Sequence, residues 1–120
     1  MARTLKKITL LSSTLRIASA NSEYQDAEGW DEAQIFLLVT AKAGSPTTLD
    51  VKVTYSSDGG TTYAAPKTAA AFTQVTGSTA AECIQLTDMG GGFRVETTMV
   101  GGSTGVGWTF EVIAIMKRLN

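Results

Sequence analysis

The segment Leu49–Tyr63, which reads LDVKVTYSSDGGTTY, constrains the fold more strongly than any other part of the sequence. Its first half alternates apolar and polar residues with the period of two expected for a strand with one buried face. The apolar positions are Leu49, Val51, Val53 and Tyr55. The glycines of Ser57–Gly60 can adopt the positive φ of a tight reversal. We therefore predict a β-hairpin with strands at 47–56 and Thr61–Ala64.

Short runs of similar character recur along the chain, separated by polar or glycine-rich turns. A strand is favoured over a helix at Ala33–Ala43, because the run is short and Gly44–Pro46 ends it. The segment Ala65–Ala71 is predicted to be a loop. Further strands are predicted at 5–11, 72–75, 82–86, 93–100 and 107–116, with 15–20 either continuing the first strand or pairing back onto it.

The last predicted strand is rich in apolar residues on both faces. One face carries Trp108, Phe110, Val112, Ala114 and Met116. Ile113 and Ile115 lie on the opposite face, which indicates burial on both sides, as in a central strand or at a subunit interface. A total of about seven to nine short strands predicts an all-β fold, either an antiparallel β-sandwich or a jelly-roll-like barrel.

The length of 120 residues predicts a single β-sandwich domain over residues 1–120, in which residues 1–32 are a candidate N-terminal arm and polar connection. The formal net charge of −1 does not favour broad electrostatic capture of nucleic acid, so no direct nucleic-acid partner is expected. No secretory signal and no membrane-spanning run of apolar residues is recognisable, so we expect synthesis in a cytoplasm and no membrane partner.

Histidine is absent and Cys83 is the only cysteine. A Ser-His-Asp triad, a Cys-His dyad and an intrachain disulfide are therefore excluded, and a zinc site is disfavoured. We expect no enzyme activity, no catalytic residue, no cofactor and no bound metal. Cys83 is predicted to be a small buried side chain. The acidic residues between 23 and 32 are interpreted as a solvated loop, or one that faces a basic patch on a neighbouring subunit, in preference to a cation site.

Seven residues are candidates for an interface. Tyr24 and Trp30 lie in the acidic connection, where they could be interface anchors or satellite contacts of the core. Basic residues occur near both ends of the sequence and would form one positive patch if the first and last strands were neighbours. The alternative is ordinary solubilising charge at the termini. The basic residues are Arg3, Lys6, Lys7, Lys117 and Arg118.

Four segments together resemble the small β-sandwich virion proteins of tailed bacteriophages: Leu49–Tyr63, Phe72–Gly77, Phe93–Val95 and Phe110–Arg118. The resemblance covers roughly the C-terminal three-fifths of the chain. It implies a structural role as a head decoration (cement) protein that binds the major capsid protein on the outer capsid surface. It also implies a homo-oligomer, with a trimer favoured, located in the virion after synthesis in the host cytoplasm.

Two other roles remain open. The first is a head–tail neck or tail component, which would also be a β-sandwich. The second is a carbohydrate-binding module, which requires a coplanar row of exposed aromatic side chains. The aromatic residues relevant to that row are Trp30, Tyr55, Tyr63 and Trp108.

Overall fold

The computed structural model describes residues 3–87 and 89–119, and all regular secondary structure in them is β-strand. The predicted domain limits at residues 1 and 120 lie outside this part of the chain. The eight strands are β1 (Arg3–Arg16), β2 (Gln25–Asp26), β3 (Glu32–Ala43), β4 (Thr48–Ser56), β5 (Ala70–Ala71), β6 (Ala80–Leu86), β7 (Gly92–Val100) and β8 (Gly107–Leu119). None of the described residues belongs to a helix with the length and apolarity needed to cross a membrane.

The strands form two four-stranded antiparallel sheets. Sheet A has the order β1-β8-β3-β6, and sheet B has the order β2-β7-β4-β5. The pairs β1–β8, β2–β7, β3–β6 and β4–β5 are successive parts of one long hairpin. The hairpin is rolled up so that β8 also pairs with β3 and β7 with β4. This is the strand order of an eight-stranded jelly roll, and it confirms the predicted all-β sandwich.

The core lies between the two sheets and is built from alternate residues of the long strands. The predicted inward face of β8 is confirmed, because every member from Trp108 to Met116 is fully buried. Leu49, Val51 and Val53 of β4 face them from sheet B and are also buried. The one polar atom of the Trp108 ring, Nε1, donates a hydrogen bond to the carbonyl of Gly77 at 2.8 Å. The largest side chain of the core is therefore buried without an unsatisfied donor.

The first strand is longer than predicted. Residues 3–16 form one edge strand of sheet A, and its register with β8 shifts between Thr9 and Leu11 and again between Leu11 and Thr14. Such irregularities insert extra residues and let a strand bend while pairing continues. Of the segment proposed as an N-terminal arm, residues 3–16 are thus strand, and Gln25–Asp26 pair with β7 of sheet B.

The predicted hairpin after β4 is only partly formed. Thr61–Ala64 is not a strand, and a single bridge joins Tyr55 to Ala64 through reciprocal backbone hydrogen bonds of 2.9 and 2.8 Å. The intervening loop is organised by a side chain, because the Asp58 carboxylate accepts hydrogen bonds from the backbone N–H groups of Thr61 and Thr62. These bonds satisfy donors that a second strand would otherwise have paired.

Three further expectations are wrong in detail. Residues 72–75, predicted to be a strand, are not one, and an isolated bridge joins Val75 to Leu49 of β4. Ala70–Ala71, predicted to lie in a loop, form β5 and pair with Lys52 and Val53 of β4. Cys83, predicted to be buried, is exposed. It lies in β6, where the alternation directs Leu86 inward and Cys83 to the outer face of sheet A.

Candidate interface at one end of the sandwich

The pairing of β1 with β8 brings the two ends of the chain together. Arg3 is opposite Leu119, Leu5 is opposite Lys117, and Lys7 is opposite Ile115. The basic residues from both ends of the sequence therefore lie at one end of sheet A. Arg3, Lys6 and Lys7 are exposed there.

Acidic residues occupy the same place, so the surface is not uniformly positive. Glu32 pairs with Lys117 across the β3–β8 ladder, and Lys117 Nζ lies 3.9 Å from Glu32 Oε1. Asp31 Oδ2 accepts a hydrogen bond of 2.7 Å from the backbone N–H of Leu119. The backbone N–H of Asp31 donates to the carbonyl of Lys117 at 2.9 Å. Part of the acidic connection thus pairs with the basic C-terminal end of β8 and holds that end of the strand in place.

Trp30 and Arg118 complete this cluster. The Arg118 guanidinium carbon lies 5.0 Å from the centroid of the Trp30 ring, which is cation–π geometry. The Trp30 ring is partly buried against the core. Arg118 and five other members of the cluster surround a shallow cavity of about 110 Å³, whose lining residues are Arg3, Asp31, Glu32, Lys117, Arg118 and Leu119. We refer to these six residues and Trp30 as the charged end.

Tyr24 is not part of the charged end. Its hydroxyl donates a hydrogen bond of 2.9 Å to the carbonyl of Gly91, and its ring meets that of Tyr63 edge-on at a centroid distance of 6.5 Å. Burial and the nearby carboxylates, Asp26 first among them, raise the pKa of Tyr24. The ring therefore makes contacts within the chain, with the turn that precedes β7 and the loop that follows β4.

The acidic segment does not converge on a cation site. In residues 3–87 and 89–119, no three Asp, Glu, Cys or His side chains lie close enough to hold a metal ion together. Within the segment, Asp26 Oδ1 instead accepts a hydrogen bond of 3.0 Å from the backbone N–H of Glu28, as in an Asx turn.

A second polar cluster, centred on Glu96 of β7, was not found from the sequence. Its carboxylate accepts hydrogen bonds from Thr54 Oγ1 at 2.7 Å and from Arg94 Nε at 3.1 Å. Arg94 also forms an ion pair with it, and its guanidinium carbon lies 3.8 Å from the centroid of the Tyr63 ring. Burial alone would raise the pKa of Glu96, but these donors and nearby positive charges hold it below its ordinary value. Glu96 and Arg94 alternate with inward residues of β7, whereas Thr54 comes from another strand that only the fold brings near.

The aromatic side chains do not form an exposed row. Every Phe, Tyr and Trp, all of which lie in the described part of the chain, is buried or partly buried. Trp108, one of the four residues relevant to a carbohydrate-binding surface, is fully buried in the core.

The strand order and core define a jelly-roll β-sandwich, and solved structures with a similar fold include the following two. SPBc2 prophage-derived protein YomS matches with a TM-score of 0.61 and 14% identity, over 98% of this chain and 96% of that one. A chain of the infectious bursal disease virus Gx strain matches with a TM-score of 0.54 and 13% identity, over 97% of this chain and 32% of that one. No protein-family model matches the sequence, and no curated protein is detectably similar to it. These similarities show a fold that is shared with a prophage-derived protein and a viral protein.

Proposed function

We propose that this chain is a non-enzymatic structural protein of a bacteriophage virion. In this proposal it is a decoration (cement) protein that binds the major capsid lattice from outside and stabilises the head. The observation that carries the proposal is the similarity to a prophage-derived protein over nearly the full length of both chains. The resemblance of the strand and turn segments to small phage virion proteins supports the same role.

The charged end is the surface we propose for contact with the capsid. Tryptophan and arginine are the residue types that most often carry binding energy at protein interfaces, and Trp30 and Arg118 are already in contact there. The exposed Arg3 belongs to this surface, and the exposed Lys6 and Lys7 lie nearby; all three would guide association with an acidic surface. Binding of this kind needs no turnover. The resemblance favours a trimer as the bound form.

The direct test is to add purified protein to expanded capsids of its own phage that lack it. Co-sedimentation should show saturable binding, and the decorated capsids should open at a higher temperature than bare ones. An Arg118→Glu variant should bind at least about tenfold more weakly, as expected for the loss of about 1.4 kcal/mol of binding free energy. Lys67→Glu, in an exposed loop beside β5, is the control for a charge change elsewhere. Absence of binding by the unmodified protein would refute the proposal.

A neck or tail position would use the same fold. The copy number per particle distinguishes the two positions, because a cement protein covers the whole lattice in hundreds of copies. A neck ring has about a dozen or fewer. Quantitative mass spectrometry of purified virions would measure this number.

A further inference from the structure

The outer face of sheet A carries an apolar surface that no described element of the chain covers. Phe36 and Leu38 of β3 alternate with the inward residues Ile35 and Leu37, so they lie on the outer face. Ile113 and Ile115 of β8 do the same. Phe36 is directly opposite Ile113 in the ladder between these central strands, so the side chains are contiguous.

The apolar surface continues onto β6. Cys83 is opposite Phe36 and Ala81 is opposite Leu38, and both are exposed and uncharged. We call this surface the apolar face and define it as Phe36, Leu38, Ala81, Cys83, Ile113 and Ile115. Leu5, 60% exposed, and Leu15, 41% exposed, lie on the same side of sheet A in the edge strand β1, opposite Lys117 and Thr109 of β8. The four large members of the apolar face, on β3 and β8, are partly exposed, and contiguous apolar surface of this kind marks an interaction site more often than ordinary surface.

The periphery of the apolar face is polar and carries charges of both signs. Arg3, Lys7 and Lys117 lie toward one end, where Glu32 pairs with Lys117. Glu111 lies toward the other end of β8. An uncharged centre within a polar periphery is the usual anatomy of a protein–protein interface.

We propose that the apolar face of one chain packs against the apolar face of a second copy. The two copies are related by a twofold axis that lies between sheet A of one copy and sheet A of the other. Two identical sheets can stack in this way about an axis across the strands or along them. With the axis across the strands at the Phe36–Ile113 row, Lys7 of one copy lies beside Glu111 of the other. With the axis along the strands, Lys117 of one copy faces Glu32 of the other. Neither arrangement opposes like charges, so the face is self-complementary.

The size of the whole outer face of sheet A, which comprises the apolar face and its polar periphery, suits a dimer. From position 109 to position 117 of β8 this outer face is about 27 Å long, and its four strands make it about 19 Å wide. The projected area is therefore about 500 Å², and side-chain relief makes the accessible area larger, near the roughly 800 Å² per partner of a standard interface. This inference does not depend on capsid binding, and it gives a dimer where the resemblance to virion proteins implies a trimer.

The test begins with the mass of the purified protein over a range of concentrations, measured by sedimentation velocity. We expect a dimer that dissociates on dilution. Cys83 supplies an independent readout, because it is the only cysteine and lies within the apolar face. At a total concentration about ten times Kd, about a fifth of the protomers are free, so a thiol reagent should modify Cys83 about fivefold more slowly than in the dilute monomer.

Two variants place a charge within the apolar face. Ile113→Asp and Ala81→Asp should each shift the protein to monomer at concentrations where the parent is dimeric. Ala81 is exposed, so its variant tests the interface even if Ile113→Asp fails to fold. Val100→Asp, at an exposed position of sheet B, should remain dimeric. A parent protein that is monomeric or trimeric at all concentrations, or a dimer whose Cys83 reacts at the monomer rate, would overturn the inference.

Discussion

Replacing Val53 with aspartate tests whether the middle of β4 faces the core between the two sheets. Val53 lies in the middle of β4, is only 1% exposed, and pairs with Val95 of β7 and Ala70 of β5. Val100, at the end of β7, is 50% exposed. Val100→Asp is therefore a matched control, in which the same atoms change and only the burial differs.

The expected cost follows from the environment of the two positions. Removing a buried valine side chain forfeits about 1.5–3 kcal/mol of apolar burial. Placing an ionised carboxylate among apolar neighbours without a partner costs several kcal/mol more. The sum approaches the whole stability of a typical domain, about 5–15 kcal/mol. Val53→Asp should thus be largely unfolded at neutral pH, whereas Val100→Asp should stay within about 0.5 kcal/mol of the parent protein.

The pH dependence separates charge burial from loss of packing. Burial raises the pKa of the introduced carboxyl in the folded state above its unfolded value of about 3.9. The charge penalty is therefore absent below about pH 4 and grows by about 1.4 kcal/mol per pH unit until the folded pKa is reached. Urea unfolding followed by circular dichroism between pH 4 and pH 7 measures this slope.

Two results would refute this reasoning. If Val53→Asp were within about 1 kcal/mol of Val100→Asp at pH 7, the side chain of residue 53 would not face the core. If the destabilisation did not change with pH, the introduced carboxyl would be solvated, and the two sheets would not enclose it.

Three further changes test local features. A Cβ at Gly107 would collide with the backbone carbonyl of Arg16, so Gly107→Ala should lower the unfolding free energy by about 1–3 kcal/mol. A Cβ at Gly77 has no atom within 4 Å, so the control Gly77→Ala should be tolerated, and urea unfolding measures both variants. Glu96→Gln should lower the unfolding free energy by about 1–3 kcal/mol at pH 7. The pKa of Glu96 is lowered in the folded state, so the stability that its carboxylate contributes is present above pH 4.5 and is lost as the pH falls through the folded pKa. The difference in unfolding free energy between variant and parent should therefore vanish in acid. Hydrogen bonds lower the pKa of Asp58 from 3.8 to about 2, so protection of the loop amides from exchange should fall as the pH falls from 3.8 to about 2. Hydrogen-exchange NMR, with each rate divided by the intrinsic acid- and base-catalysed rate at that pH, should show this loss, and Asp58→Asn should abolish its pH dependence.

The candidate site could be predicted only in part. The sequence pointed to Trp30 and to basic residues at both ends of the chain, and the pairing of β1 with β8 places these residues together. It did not indicate that Asp31 and Glu32 would pair with the same end, because those contacts join positions far apart in sequence. Nor did it show that the Tyr24 ring would contact Tyr63 within the chain.

The sequence by itself determined which side chains of β8, and of most of β4, face inward. That property is local, because successive residues of a strand point to opposite faces and the apolar pattern selects the buried one. It held for the inward residues from Trp108 to Met116, but it failed for Thr61–Ala64, where the Asp58 carboxylate satisfies the backbone in place of a strand partner.

Only the tertiary structure decided which strands are neighbours and therefore which surfaces exist. The apolar positions of β3, β6 and β8 form one outer face, and the two ends of the chain meet, because the long hairpin rolls up around a shared core. Many strand orders would keep the same residues buried, so the local pattern cannot choose between them. That choice depends on the packing of the two sheets as a whole.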